Sequence, residues 1–193
     1  MPKKKEVRTL VAKGLKTRGN FGTDEPLKVC GYASVFNSPT MIDDYFTEEI
    51  APGAFSRTIL ENDVRALFNH NWDNVLGRMS SGTLDLREDE KGLYFEATLP
   101  DTTIAKDLAI SIERGDVNQC SFGFYPSVEE WNYDVEPAHR RIIEAELFEI
   151  SIVTIPAYED TEVSLMRSKF TKSGIEKRKA IIKKINKTLE GTK

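Results

Sequence analysis

Strand-like runs dominate this chain and leave room for few helices. Residues 28–36 (KVCGYASVF) and 64–69 (VRALFN) have the β-branched and aromatic content of strands, the first closed by the turn signal Ser38-Pro39. GTLDLRED and KGLYFEATL read as a hairpin turning between Asp89 and Gly92. Three further runs, 119–128 (QCSFGFYPSV), 141–148 (RIIEAELF) and 149–156 (EISIVTIP), close the body, with 129–140 as an exposed polar hairpin tip. Only two helices interrupt them. One is short, from about Pro52 to Leu60, with Phe55, Ile59 and Leu60 on one face; the other is TTIAKDLAISIERGD, with Ile104, Leu108 and Ile112 spaced by four and Gly115 as terminator. No regular β-helix-β alternation occurs, so a doubly wound sheet is a poor fit. The pattern predicts an α+β fold, a mostly antiparallel β-barrel or sheet with surrounding helices.

Charge divides the chain into three. Residues 1–19 hold seven Lys/Arg against one Glu, and 167–193 hold ten against two, while the whole chain carries a net charge of −4. The body between them is therefore strongly acidic, which argues against a direct nucleic-acid role. With the strand-like patterning, this divides the chain into a basic N-terminal segment (1–27), a folded body (28–166) and a basic amphipathic helical tail (167–193), the tail's Ile175, Ile182, Ile185 and Leu189 forming one stripe. Both basic ends read either as solvated extensions or as an electrostatic address for an acidic partner. No run reaches the roughly 20 apolar residues that span a bilayer, so no membrane role is expected, and the chain reads as soluble and intracellular. Two histidines and two separated cysteines, with no HExxH or CxxC, predict free thiols and no metal or cofactor.

Three residues could support hydrolytic chemistry, which needs a hydroxyl or thiol, a base, and a group that fixes the base's tautomer. His70 follows a buried strand and should sit at its end, where side chains meet a cleft; His139 lies in the polar tip beside Arg140 and Arg141, a poor setting for a base. Ser121 is a small hydroxyl within an aromatic strand, followed by Phe122-Gly123, and a strand glycine permits close approach. Cys120 is a rival nucleophile but points to the opposite face. Glu149 opens an apolar run, where a carboxylate must find a partner, with Glu144 and Glu146 as alternatives. Each residue alone is more often structural than catalytic.

Taken together, the order His70, Ser121, Glu149 resembles the prohead proteases of tailed phages, capsid-maturation serine proteases that share a fold with the herpesvirus assemblins. The resemblance spans residues 28–166. It rests on GYASVFN, the segment Ile50 to Phe55 (IAPGAF), LFNH at 67–70 followed by LGR at 76–78, CSFGF at 120–124, and EISIV at 149–153 running into Pro156-Ala157. It implies a herpesvirus-protease-like fold, with Ser121 as nucleophile, His70 as general base and Glu149 as third member, a position held by histidine in the herpesvirus enzymes. It also implies an oxyanion region near Ala157.

The implied activity is cleavage of coat-protein or scaffold segments, and of the protease itself, inside the procapsid in the host cytoplasm. Implied partners are the major capsid protein or scaffold and further copies of the chain. Arg167-Ser168 and Lys172-Ser173 are candidate self-cleavage junctions. Two other readings remain open from the residues: a catalytically silent capsid scaffold or assembly protein, and an unrelated hydrolase using Cys120.

Overall fold

The computed structural model describes residues 5–11, 15–19 and 26–154, together with residues 176, 179–184 and 187, which are helical. Among the described residues up to 154, eleven strands and two α-helices follow in order: β1 (Glu6–Val11), β2 (Lys16–Arg18), β3 (Lys28–Val35), β4 (Thr40–Ile42), β5 (Phe46–Ile50), α1 (Ser56–Glu61), β6 (Arg65–Phe68), β7 (Asn71–Arg78), β8 (Leu84–Glu88), β9 (Gly92–Thr98), α2 (Thr103–Arg114), β10 (Gln119–Asn132) and β11 (Ala138–Val153). They form two sheets. The larger runs β1-β10-β11-β5-β4, with β6 joining β11 and β7 joining β6; the smaller runs β2-β3-β9-β8. The α+β class and mostly antiparallel pairing expected from the sequence hold, but the barrel does not. Among the described residues β1 and β4 end the larger sheet without meeting, so both sheets stay open.

β11 organises the larger sheet. Its sixteen residues join the two runs expected separately at 141–148 and 149–156, with Leu147, Ile150 and Ile152 buried in the core. Two shorter strands lie parallel to it, end to end: β5 against residues 138–142 and β6 against 149–152. Helix α1 fills the gap between them. Its buried Thr58 donates to the Ala145 carbonyl at 2.8 Å and accepts from the Leu147 amide at 3.1 Å, while Ala145 N donates to Ala54 O at 2.9 Å. One hydroxyl thus satisfies both backbone groups that a missing strand would leave bare.

The core lies between the sheets. On β10 the period of two sends Cys120 and Phe122 inward and leaves Ser121 and Gly123 on the other face. Phe36, Phe55, Phe122 and Phe124 form a chain of aromatic contacts with centroids 5.3–6.4 Å apart. Helix α2 is capped by the Thr102 hydroxyl and ends at Gly115, whose φ of 82° is readily adopted only without a side chain. Its buried stripe is Ala105, Leu108, Ala109 and Ile112 rather than the expected Ile104-Leu108-Ile112, since Ile104 is exposed. Leu60 likewise faces solvent instead of joining Phe55.

The basic N-terminal segment is not a free extension where it is described. β1 pairs with β10 and β2 with β3. Its charges are the reason. Arg140 is fully buried and binds Glu6, Glu48 and Glu129, while Arg8 binds Glu6 at 2.7 Å and Glu48 at 2.5 Å. Burial opposes ionisation of Glu6, but the hydrogen bond from Arg140 and the charges of Arg8 and Arg140 outweigh it and hold the carboxyl below its usual range.

That sign sets the pH dependence. A depressed carboxylate contributes stability that is present above its ordinary value of 4.5 and is lost as pH falls through its folded value. Chemical denaturation should show stability decreasing as pH drops below 4.5. Arg140→Ala, which strands buried carboxylates, should cost about 3–5 kcal/mol at neutral pH. An unchanged denaturation midpoint in that variant would show that the cluster does not hold β1.

Candidate active site

Strand register assembles the site. Along one row the larger sheet places Thr9 of β1 opposite Ser121 of β10, Ser121 opposite Ser151 of β11, and Ser151 opposite Leu67 of β6. In the next row Gly123 faces Glu149. His70 arrives from the end of β6. Phe68 pairs with Asn71, leaving a two-residue turn, and both central residues are left-handed, Asn69 at φ 53° and His70 at φ 56°. This is the pattern of a type I′ hairpin, whose twist matches the flanking strands.

A histidine in that region is strained by about 1–3 kcal/mol and must be held there. β11 holds it: Asn69 N donates to Ile152 O at 2.9 Å, His70 N donates to Ser151 Oγ at 3.2 Å, and Asn69 Oδ1 accepts from Thr154 N at 3.0 Å.

The imidazole meets the carboxylate directly. His70 Nδ1 lies 2.8 Å from Glu149 Oε1, and Glu149 Oε2 accepts from Ser151 Oγ at 2.7 Å. Glu149 is buried, so each oxygen needs a donor. An ionised carboxylate only accepts, so Nδ1 carries the proton and Nε2 keeps the lone pair. Nε2 is buried and makes no hydrogen bond. An unpaired buried acceptor costs about 1–3 kcal/mol and is a position awaiting a donor.

Ser121 is on the same face, one strand from Ser151, but its hydroxyl is engaged elsewhere. It donates to the Arg8 carbonyl at 2.9 Å and accepts from Thr9 Oγ1 at 3.1 Å, and β1 covers it completely. The structure therefore joins His70 to Glu149 and sets Ser121 beside them without a hydrogen bond to His70.

Cys120, Glu144 and His139 have other surroundings. Cys120 faces the core and burial pushes its thiol up to about 12, which removes the thiolate a cysteine nucleophile needs. Glu144 binds the exposed Arg57, and His139 Nδ1 lies 2.8 Å from Thr47 Oγ1 in the β5 rows. Ala157 lies outside the described residues. Ser151, which ties His70 and Glu149 together, was not anticipated; its spacing of two from Glu149 is the signal that puts both on one face. Among the described residues no group of His, Cys, Asp and Glu is placed to hold a metal ion, and no helix is long and apolar enough to cross a membrane.

A family model described as Caudovirus prohead serine protease matches residues 13–175. The chain belongs to this family. It is a prohead serine protease. Among solved structures, the protease is similar to the bacteriophage T4 capsid assembly protease gp21, with a TM-score of 0.53 and 11% identity over 79% of this chain and 98% of that one. At that identity the likeness shows a shared fold. No curated protein of similar sequence was found. Membership gives the protease a role in capsid maturation, acting on capsid or scaffold proteins.

Gly123 is where this site is most sensitive to a small change. A Cβ there would lie 2.5 Å from two atoms of the Phe148 ring and 2.6 Å from Glu149 Oε1. Gly123→Ala must displace the carboxylate that holds the imidazole. It should lower the turnover of the protease about 10-fold or more and its stability by about 1–3 kcal/mol. Peptidase assays beside thermal melts test this, and an unaltered rate would show that the carboxylate does not depend on that gap.

Proposed function

We infer that Ser121 is the nucleophile of this capsid-maturation protease, His70 its general base and Glu149 the group that orients the base. One observation carries the reading: the buried Nε2 of His70, without a partner, on an imidazole fixed through Nδ1 by a buried carboxylate. Once the Ser121 hydroxyl is released from the Arg8 carbonyl, its proton passes to Nε2. Oγ then attacks the scissile carbonyl carbon, forming a tetrahedral adduct. Glu149 stabilises the imidazolium that results. The proton goes next to the leaving amine as the C–N bond breaks and a serine ester forms. Water, deprotonated by the same Nε2, hydrolyses the ester and restores the serine. In this reading the oxyanion donors come from residues around Ala157.

The substrates in this reading are coat-protein or scaffold segments and the protease itself, cut within the procapsid in the host cytoplasm, with further copies of the chain as partners. The basic tail, 167–193, serves as a packaging handle removable at Arg167-Ser168 or Lys172-Ser173.

Co-expression with the cognate coat protein, followed by mass spectrometry of the products, tests these roles. Ser121→Ala and His70→Ala should each abolish processing in folded protein, and the double variant should be hardly worse than either. Glu149→Gln should fold and lose rate mainly in kcat, on the order of 10⁴-fold if it sets the tautomer. Processing that persists in Ser121→Ala would overturn the assignment.

A further inference from the structure

β1 lies against the strand that carries Ser121 in the way a bound peptide would. It is extended and antiparallel to β10, and the Arg8 carbonyl is the group nearest the nucleophile, accepting from Ser121 Oγ at 2.9 Å. Its oxygen takes the hydroxyl proton, so the Arg8-Thr9 bond sits at the reacting position in a geometry that does not cut it. The side chains upstream of that bond are then recognised by fixed groups of the sheet. The Arg8 guanidinium is gripped by Glu48, Nε to Oε1 at 2.5 Å and Nη2 to Oε2 at 2.9 Å, and lies over the Phe124 ring. Two residues earlier, Glu6 is gripped by Arg140 through Nη1 at 2.7 Å and Nη2 at 3.1 Å.

These contacts define what the groove holds when β1 is absent. Glu48 Oε2 retains Arg140 at 2.8 Å, but Oε1 loses the cation that Arg8 supplied. A carboxylate oxygen left without its partner favours a cationic side chain. Room for one exists in a pocket of about 360 Å³ beside Arg8, lined by Glu48, Glu49, Ile50, Phe122, Tyr32 and Lys91. Glu49 is already bound to Arg141, and Lys91 sits over the Tyr32 ring, which leaves Glu48 as the selecting group. Arg140 in turn loses Glu6 and can accept another carboxylate.

Resting on the assignment of Ser121 as nucleophile, we propose that β1 is a self-supplied pseudosubstrate and that the protease cuts after an acidic-x-basic tripeptide. Glu48 selects arginine or lysine on the acyl side of the bond, and Arg140 selects a carboxylate two residues before it. A substrate segment must displace β1, whose own Glu6-Val7-Arg8 competes for the same groups.

Two diphenyl phosphonates of identical composition test this on the full chain: acetyl-Glu-Val-Arg and the charge-swapped acetyl-Arg-Val-Glu. In each, Ser121 Oγ forms a bond to phosphorus, phenol leaves, and the hydroxyl proton goes to His70 and then to the phenolate. Both probes wait for the same opening of β1, so the ratio of their labelling rates at Ser121, read by mass spectrometry, cancels that equilibrium. The ratio should favour Glu-Val-Arg by on the order of 100-fold and fall at least 10-fold in Glu48→Gln. If that isosteric variant does not fold, the wild-type ratio decides alone. Equal rates, or a preference unchanged in Glu48→Gln, overturn the proposal, as does labelling by a small alkyl fluorophosphonate with neither peptide probe reacting. Absence of fluorophosphonate labelling at Ser121 would instead overturn the nucleophile assignment, and the specificity proposal with it.

Discussion

The buried carboxylate of Glu149 is the constraint around which this site is built. A charge removed from water must be met by donors on both oxygens, and here the donors are His70 Nδ1 and Ser151 Oγ. Each partner carries a structural requirement of its own. His70 can reach Glu149 only from a left-handed position in a two-residue turn, and that turn persists because β11 binds it through Ile152 O, Ser151 Oγ and Thr154 N. The carboxylate can lean across β10 only because residue 123 has no side chain. Three strands and one turn thus converge on a single anionic group, and the imidazole they orient is left with its other nitrogen buried and unpaired.

A second buried ion cluster works at the adjoining edge of the sheet. Arg140, on the same strand as Glu149, fastens β1 through Glu6 and shares Glu48 with Arg8. The bond network that adds β1 to the sheet therefore also covers Ser121 and occupies its hydroxyl. Stability and access are opposed here: the ion pairs that complete the sheet close the groove. In the reading proposed above, Ser121 becomes free to react only when another extended segment displaces β1 from the edge of β10.

Much of this was legible in the sequence. Ser121, His70 and Glu149 were singled out by the resemblance to the prohead proteases, since each alone reads as structural; the structure brings His70 and Glu149 into contact and leaves Ser121 one strand away without a bond to His70. The β8–β9 hairpin and the end of α2 at Gly115 followed from turn and cap chemistry, which is local. What escaped was non-local. The strand at residues 6–11 carries too much charge to read as core, and its place depends on Arg140, 134 residues from Glu6. β11 read as two strands because its partners change along its length, from β5 through Thr58 to β6. Helix faces were misjudged at Ile104 and Leu60, because short spacings cannot say how wide a buried stripe will be. Closure of the sheet is likewise set by pairings no segment encodes alone.

The tautomer of His70 tests the account most directly. With only two histidines in the chain, ¹⁵N spectra can be assigned by comparison with His139→Gln. Above about pH 8, where an ordinary imidazole is neutral, the account predicts a protonated Nδ1 hydrogen-bonded to Glu149 and an unprotonated Nε2, with the proton redistributing in Glu149→Gln. A proton on Nε2 in the wild-type protein would contradict it, because the nitrogen that should take the serine's proton would already hold one.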